Sequence, residues 1–260
     1  MNICKKLFGR KEKSWVRFYS VEPGIPEVFP VTPSSKIKRK WMSIEQPDDP
    51  DNGPMFTKNC PGIKKLVGSG WVITAPADFI IQTNGDGVTF RWLEARKFTR
   101  VTDGWNNYVG FHNQHQTEII LDDSTKCLKT AVKLDTPWRV QASDDMMFLQ
   151  IPVAYNNESR FTAATGLFDP RFGHVVNVQL LWHVTEGETL VRAGTPLCQY
   201  IPVKRDYLNI NNHDVTIDTA TAEDFETEKR FNYATSCTFM KEDNIGARLR
   251  RAIKALGNGK

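Results

Sequence analysis

Long apolar runs are missing from this sequence. No segment approaches the roughly 18 consecutive apolar residues of a membrane-spanning helix, so we expect no membrane span. The first residues, MNICKKLFGRKEK, are basic but lack the apolar core and the cleavage site of a secretory signal. Hydrophobic residues make up 40% and charged residues 25% of the 260 positions. These proportions are ordinary for a globular protein with one large β domain or two small domains.

Cysteine is scarce and scattered. The chain has five cysteines, an odd number, and none forms a C-x-x-C pair. This pattern excludes a disulfide framework and a zinc knuckle, and it favours reduced thiols in a cytosolic setting. The five positions are Cys4, Cys60, Cys127, Cys198 and Cys237.

Signatures of catalysis are also missing, since the chain has no phosphate-cradling glycine loop and no recognisable nucleophile motif. The segment GFHNQHQTE places His112, His115 and Glu118 close together, and such side chains can share a metal. His174 or His183 could complete that set. The alternative is a group of surface histidines in a loop. We expect no metal and no cofactor.

Charge is concentrated at the two ends of a chain whose formal net charge is +4. Basic ends can bind nucleic acid or an acidic partner, or they can be solvated tails. Residues 1–40 add four closely spaced prolines to this charge. Proline disfavours helix and removes ladder donors, so we predict an extended arm that wraps a surface or forms a sheet edge.

Most of residues 41–210 has the pattern of β-strands. A short helix is expected after Asn59, and a hairpin is expected around the turn Asn84–Gly87. Val175–Trp182 and Cys198–Val203 are nearly continuous apolar runs, as in strands covered on both faces. Further strand candidates are the segments TEIILDD, AVKLD, WRVQAS and MMFLQIPVAY.

The last fifty residues differ from this β body. Residues 211–242 are polar and acidic, and we interpret them as a linker. Residues 243–257 carry apolar side chains at helical spacing among basic ones, with Asp243 as a cap and Gly257 as a stop. They predict a basic amphipathic helix.

Two motifs carry the strongest signal. GLFDPRFGHVVNVQLLWH is a glycine-bounded turn with Asp169 followed by a buried strand, and LVRAGTPLCQYIPV is a second glycine turn followed by a strand with the single polar residue Gln199. This arrangement resembles the dUTPase and dCTP deaminase superfamily over residues 138–203, and Pro-Ala-Asp78-Phe is similar to its first motif. The resemblance implies a mainly β fold of the β-clip or distorted jelly-roll type, closed as a threefold trimer with ligand pockets between subunits.

The same resemblance identifies the groups needed for chemistry. Asp169 matches the carboxylate that meets the sugar or positions a water, but Gln179 stands where the deaminase has its general base. An amide cannot accept a proton from water near neutral pH. Asp144 and Asp145 occupy the region of the phosphate-binding Arg-Ser-Ser motif, where two carboxylates repel a triphosphate. We therefore expect no catalytic residue. If a pocket is retained, its ligand-binding residues would be Asp169, Gln179, Asp78 and Gln199.

Over its whole length the chain also resembles an uncharacterised family of tailed-bacteriophage proteins, through FYSVEPGIPEVFPVTP, CPGI and GTPLCQYIPVKR. The two resemblances together predict a non-catalytic virion structural protein, a trimeric β building block that joins neighbouring phage structural proteins. Such a protein would reside in the host cytoplasm before assembly. The alternatives are a nucleotide-binding or nucleotide-hydrolysing protein of the infected cell, and a non-catalytic module that sequesters a ligand.

Overall fold

Antiparallel β-strands dominate the computed structural model, as the sequence predicts, and the protein is mainly β. The structure describes residues 14–44, 60–100, 104–117, 121 and 126–236, without the side chains of residues 98–100, 104–106 and 231–236. The chain divides into two units after Ile210. Each unit is considered separately.

The strands of the first unit alternate with only a few short helices. The strands are β1 (Val16–Ser20), β2 (Thr32–Pro33), β3 (Trp71–Thr74), β4 (Phe79–Asn84), β5 (Phe90–Glu94), β6 (Phe98–Arg100), β7 (Gly104–Asn106), β8 (Val109–His112), β9 (Ala131–Ala142), β10 (Met146–Ile151), β11 (Phe161–Ala163), β12 (Gly166–Phe168), β13 (His174–Trp182), β14 (Glu186–Val191) and β15 (Pro196–Lys204). The helices are α1 (Ile25–Val28), α2 (Pro61–Gly68) and α3 (Gln114–Thr117).

Two five-stranded sheets form the body. The first has the order β1-β9-β13-β11, with β8 also paired to β9, and the second has the order β12-β10-β15-β3-β2. A three-stranded sheet, β14-β4-β5, and the hairpin β6-β7 complete the set. All of these pairings are antiparallel.

The core lies between the two large sheets. In β13 every second side chain, from Val176 to Trp182, is fully buried, which is the alternation expected of a strand with one face in a core. Phe18 of β1 contacts Trp71 and Phe148 of the second sheet at ring-centroid distances of 5.5 and 6.1 Å. These aromatic contacts hold the faces of the two sheets together.

Strand β9 joins two segments that the sequence predicts as separate strands, AVKLD and WRVQAS. Pro137 lies between them and carries no N–H for a ladder. The register between β13 and β9 shifts at Val175/Asn177, opposite this proline. The irregularity allows one twelve-residue strand to pass through Pro137.

The proline-rich segment is part of the body over its described residues. Strands β1 and β2 are edge strands of the two large sheets, a position that tolerates proline. Arg39 is buried, and its guanidinium donates to the carbonyl oxygens of Ala154 and Ser34 at 2.7 and 3.0 Å. Where residues 1–40 are described, they therefore contribute edge strands to both large sheets, one of the two placements that the sequence predicts for this segment. Residues 1–13 lie outside the described residues.

Other local predictions have mixed outcomes. Helix α2 and the hairpin of β4 and β5 around Asn84–Gly87 form as predicted. Strands β13 and β15 contain the predicted strands Val175–Trp182 and Cys198–Val203, but only one face of β13 is fully buried, where cover on both faces was predicted. The predicted strand MMFLQIPVAY forms β10 only as far as Ile151. The segment TEIILDD begins at the end of helix α3, and most of its remaining positions lie outside the described residues.

The second unit contains helix α4 (Ala222–Ser236), which lies inside the segment interpreted as a linker. Thr221 and Asp224 cap its start, since the Asp224 carboxylate accepts the Thr221 backbone N–H at 2.7 Å. The predicted helix of residues 243–257 lies outside the described residues. Within the described part of the chain, no helix is both long enough and apolar enough to span a membrane.

Candidate functional site

The turn that carries Asp169 connects strands β12 and β13. The Asp169 carboxylate accepts the Arg171 backbone N–H at 3.1 Å, and the Gly173 N–H donates to the Pro170 carbonyl at 3.2 Å. Gly173 has a φ of +83°, and a Cβ there would lie 3.1 Å from the Tyr19 hydroxyl. The left-handed backbone favours glycine at this position, and a side chain there would also force the Tyr19 hydroxyl to shift by a few tenths of an ångström.

Two guanidinium groups bind the Asp169 carboxylate. Arg171 Nε lies 2.9 Å and Arg171 Nη2 lies 2.7 Å from Asp169 Oδ2. Arg205 Nη2 reaches the same oxygen at 3.0 Å. The Arg205 side chain also donates to the backbone carbonyls of Asp144 and Met146 at 3.1 and 3.2 Å. The group therefore joins the turn after β12, the β9–β10 connection and the end of β15.

The environment of Asp169 keeps it ionised. Its partial burial would raise the pKa of the carboxyl, but hydrogen bonds from Arg171 and Arg205 outweigh that effect and lower the pKa to about 2. A carboxylate with this pKa is a very weak base at neutral pH. It is suited to holding two cations rather than to accepting a proton.

His174 lies beside this group at the start of β13. Its ring stacks on Phe168 at a centroid distance of 4.4 Å. Burial lowers the pKa of His174, the nearby Arg139 lowers it further, and Asp169 acts in the opposite direction. The imidazole is therefore neutral near pH 7 and acts as part of an aromatic stack.

The two carboxylates of the β9–β10 connection differ in their surroundings. Asp145 accepts hydrogen bonds from the hydroxyls of Ser143 and Ser14 at 2.7 and 2.8 Å, and these bonds lower the pKa of Asp145. Asp144 contributes its backbone carbonyl to Arg205. The segment that the resemblance associates with phosphate binding thus has a negative charge fixed by local hydrogen bonds.

Gln179 lies on β13, paired with Lys133 of β9. Its neighbours Val178 and Leu180 are fully buried, and Gln179 is half-buried on the opposite face of the strand. This face does not contribute to the core between the two sheets. Gln179 therefore lies on the outer face of the first sheet.

Gln199 is completely buried on β15. Its side-chain N–H groups donate to the carbonyls of Leu66 and Ser69 at 2.9 and 2.7 Å, and its side-chain oxygen accepts the Ala154 N–H at 3.1 Å. The amide fastens the end of helix α2 and the loop after β10 to the sheet. All of these partners are backbone groups, so Gln199 has a structural role in the isolated chain.

Asp78 holds the other glycine turn. Its carboxylate accepts the Ala193 N–H at 2.7 Å, and Arg192 Nη1 lies 3.5 Å from its second oxygen. The Gly194 N–H donates to the Ala75 carbonyl at 2.7 Å. The two segments that resemble superfamily motifs, Pro-Ala-Asp and Gly-Thr-Pro, are thus in direct contact.

The predicted site residues do not come together in one chain. Asp169 is bound to Arg205, the residue after the end of β15, and Asp78 is bound to Ala193, three residues before its start. The nine residues of β15 span roughly 30 Å at about 3.3 Å per residue. Asp169 and Asp78 therefore lie at opposite ends of a strand, and Gln199 is buried between them.

The histidine hypothesis finds no support in the described residues. His112 ends β8, and His115 lies on the exposed surface of α3. Glu118 lies outside the described residues. Where side chains are described, no group of three or more His, Cys, Asp or Glu is placed to hold a metal ion.

One cavity was not foreseen from the sequence. A cavity of about 210 Å³ lies against the loop after β10, and its walls include Val153, Phe161, Ala163 and Leu197. The loop holds two non-glycine residues in the left-handed region, Tyr155 at φ 56° and Asn157 at φ 54°. Asparagine tolerates this conformation and tyrosine rarely adopts it. The sequence analysis predicted a strand through Tyr155, whereas β10 ends at Ile151 and the loop follows.

Two comparisons with known proteins were negative. No protein-family model matches the sequence, and no curated protein matches it. The two resemblances described from the residues stay predictions.

Proposed function

We propose that the chain is a non-catalytic structural protein of a bacteriophage virion, a homo-oligomeric β building block that joins neighbouring virion proteins. The observation that carries the proposal is the state of Asp169. The single carboxylate that matches a catalytic position is bound by Arg171 and Arg205 and has a pKa of about 2. The Asp169 carboxylate and its two arginine partners stabilise the turn after β12.

The rest of the predicted site supports the same conclusion. Proton abstraction needs a base with a pKa near the working pH, positioned on the reacting water. Gln179 carries an amide on the outer face of the first sheet. The Gln199 amide makes hydrogen bonds with three backbone groups. Neither side chain can replace the missing base.

We include in the proposal a β-clip or distorted jelly-roll body and a threefold arrangement. Support for the body comes from two five-stranded antiparallel sheets around one core and from the motif segments that contact each other at Asp78. Support for the trimer comes from the sequence resemblance. Basic termini are expected to contact nucleic acid or an acidic partner in the virion.

Exposed apolar side chains give the protein surfaces for assembly. Phe172 is 89% exposed and Leu167 is 50% exposed near the Asp169 turn. Leu93 and Phe111 are also more than half exposed. Association with another protein would remove this apolar surface from water, which is favourable in free energy.

The proposal is tested against its enzymatic alternative by titrating the protein with dUTP and with dCTP in the presence of Mg²⁺, followed by product analysis. We expect neither saturable binding nor turnover. Tight Mg²⁺-dependent binding that is lost in Asp169→Ala would contradict the proposal and support a nucleotide-processing protein. Saturable binding without turnover would favour the ligand-sequestering module.

A further inference from the structure

The three-stranded sheet β14-β4-β5 has one face in the core and one face outside it. Phe79 and Ile81 of β4 are buried in the core, so the alternate residues Ile80 and Gln82 belong to the outer face. Residues directly opposite each other on neighbouring antiparallel strands share a face. The registers of β14 with β4 and of β4 with β5 therefore identify the other members of this outer face.

Two rows of side chains cross this outer face from β14 to β5. The first row is apolar and consists of Leu190, Ile80 and Leu93. The second row is polar and consists of Glu188, Gln82 and Arg91. Leu93 is 59% exposed, and the two charged side chains are exposed as well. The face thus combines an apolar stripe with an acid at one edge and a base at the other.

The two charges of the polar row are not paired with each other. They lie on the two outer strands of the sheet, two strand spacings or roughly 10 Å apart. Glu188 accepts a hydrogen bond from the Gln82 side-chain amide at 2.8 Å, and a neutral amide leaves the charge of the carboxylate in place. Arg91 makes no ion pair in the part of the chain that the structure describes. Both charges are therefore available to a partner.

This pattern is complementary to itself. Two sheets stack face to face about 10 Å apart, with their strands nearly aligned. A two-fold axis that runs along β4 between them exchanges the β14 edge with the β5 edge, so Glu188 of each copy faces Arg91 of the other. The same axis places Leu190 opposite Leu93 and places the two copies of Ile80 opposite each other. An axis across the strands would bring like charges together, so the charges select the first arrangement.

We propose that this outer face binds the same face of a second copy, with Glu188 of each copy paired to Arg91 of the other. This inference rests on the proposed function as an assembling protein and names one contact of the assembly. The contact is isologous, so it is separate from the threefold arrangement. It joins two trimers where the trimer forms and two single chains where it does not. Association also removes Leu93 from water, which is favourable.

The test reverses one charge at a time and measures particle mass by sedimentation velocity over a range of concentrations. Glu188→Arg or Arg91→Glu places like charges opposite each other at both ends of the contact. We expect particles of half the wild-type mass for each variant, with a dissociation constant at least about tenfold higher. Glu27→Arg is the matched control, because Glu27 is exposed on α1 and the charge changes equally. The control should keep the wild-type mass.

Two combinations of the charge reversals restore opposite charges across the contact. One is the double variant Glu188→Arg/Arg91→Glu, and the other is an equimolar mixture of the two single variants. Both should regain the wild-type mass. Leu93→Asp gives a further readout that does not depend on the charge reversals, since it places a carboxylate in the apolar row opposite Leu190, and it should also halve the mass. All substituted side chains are exposed, so each variant should keep the circular dichroism spectrum of the wild type.

A wild-type protein that stays monomeric at every concentration would overturn the contact. Unchanged particle mass in both charge reversals would also overturn it and would leave the assembling building block intact. A lower mass that neither the double variant nor the mixture restores would overturn the pairing of Glu188 with Arg91. The presence of the protein in virions is measured separately, so a failure of the contact and a failure of the proposed function are distinguishable.

Discussion

Arg205 Nη2 lies 3.0 Å from Asp169 Oδ2, an ion pair that joins the residue after β15 to the turn after β12. Strand β10 lies between these two strands in the sheet, and Arg205 also donates to its first carbonyl. The carboxylate that most resembles a catalytic group therefore acts as a clamp across three strands.

Removal of the Asp169 carboxylate should cost stability in two steps. Asp169→Asn keeps an oxygen for the Arg171 N–H but loses both ion pairs, so we expect a decrease of about 1 kcal/mol in the free energy of unfolding. Asp169→Ala also loses the backbone hydrogen bond, and we expect about 2 kcal/mol. Urea denaturation measures both values. Equal stability of the wild type and both variants would contradict a stabilising role for the Asp169 carboxylate.

The stabilisation by Asp169 should depend on pH. Its pKa is lowered to about 2 from an ordinary value of 3.8, so the folded state favours the ionised form. The contribution is complete above about pH 5 and is lost as the pH falls from about 4 toward 2. The side chain is 31% exposed, so solvent screening limits the effect to about 1 kcal/mol.

The measurement is the difference in unfolding free energy between the wild type and Asp169→Asn at a series of pH values. We expect this difference to shrink below pH 4. A difference that is constant from pH 6 to pH 3 would show that Asp169 is not stabilised in its ionised form.

Gln199→Leu should be strongly destabilising. The substitution removes the partners of the Leu66 and Ser69 carbonyls and of the Ala154 N–H. We expect a loss of about 3 kcal/mol, because buried polar groups without partners are costly. The matched control is Gln82→Leu, which removes one exposed bond to Glu188 and should change stability by less than about 0.5 kcal/mol. Similar midpoints for the two variants would contradict the structural role of Gln199.

Gly70→Ala tests the close approach of the backbone between α2 and β3 to strand β15. Gly70 has a φ of +68°, and a Cβ there would lie 1.9 Å from the Tyr200 carbonyl oxygen of β15. Gly24→Ala is the control, since Gly24 has a φ of +84° and no heavy atom within 4 Å of an added Cβ. We expect about 1 kcal/mol for Gly24→Ala from backbone strain alone. Gly70→Ala should cost more than about 3 kcal/mol.

Thermal and urea denaturation give both values for the glycine variants. Equal costs at the two positions would mean that the backbone between α2 and β3 moves away from Tyr200 without penalty.

The sequence predicts those parts of the fold whose signal is local. The apolar run in Val175–Trp182 and the Asn84–Gly87 turn each contain enough local information to predict a strand and a hairpin, although the run does not show that only one face of β13 is fully buried. Around Pro137 the sequence pattern predicts two separate strands, because proline usually interrupts a strand. The pairing of β13 accommodates it with a register shift that no local pattern records.

The sequence resemblance names candidate residues but not their geometry. It predicts Asp169 and Gln179, ten positions apart in the chain, as members of one site. The partner of Asp169 is Arg205, which is 36 positions away and becomes a neighbour only through the β12-β10-β15 order. Likewise, the burial of Gln199 follows from α2 and the loop after β10 packing over β15, which are contacts between distant segments.

The central claim is that the chain is a structural component of a virion. Quantitative mass spectrometry of gradient-purified virus particles from cells that produce the chain tests this claim most directly. The account predicts a fixed stoichiometric copy number in the particles, in a multiple of three. Absence of the protein from purified particles, with the protein present in the infected-cell lysate, would contradict the account.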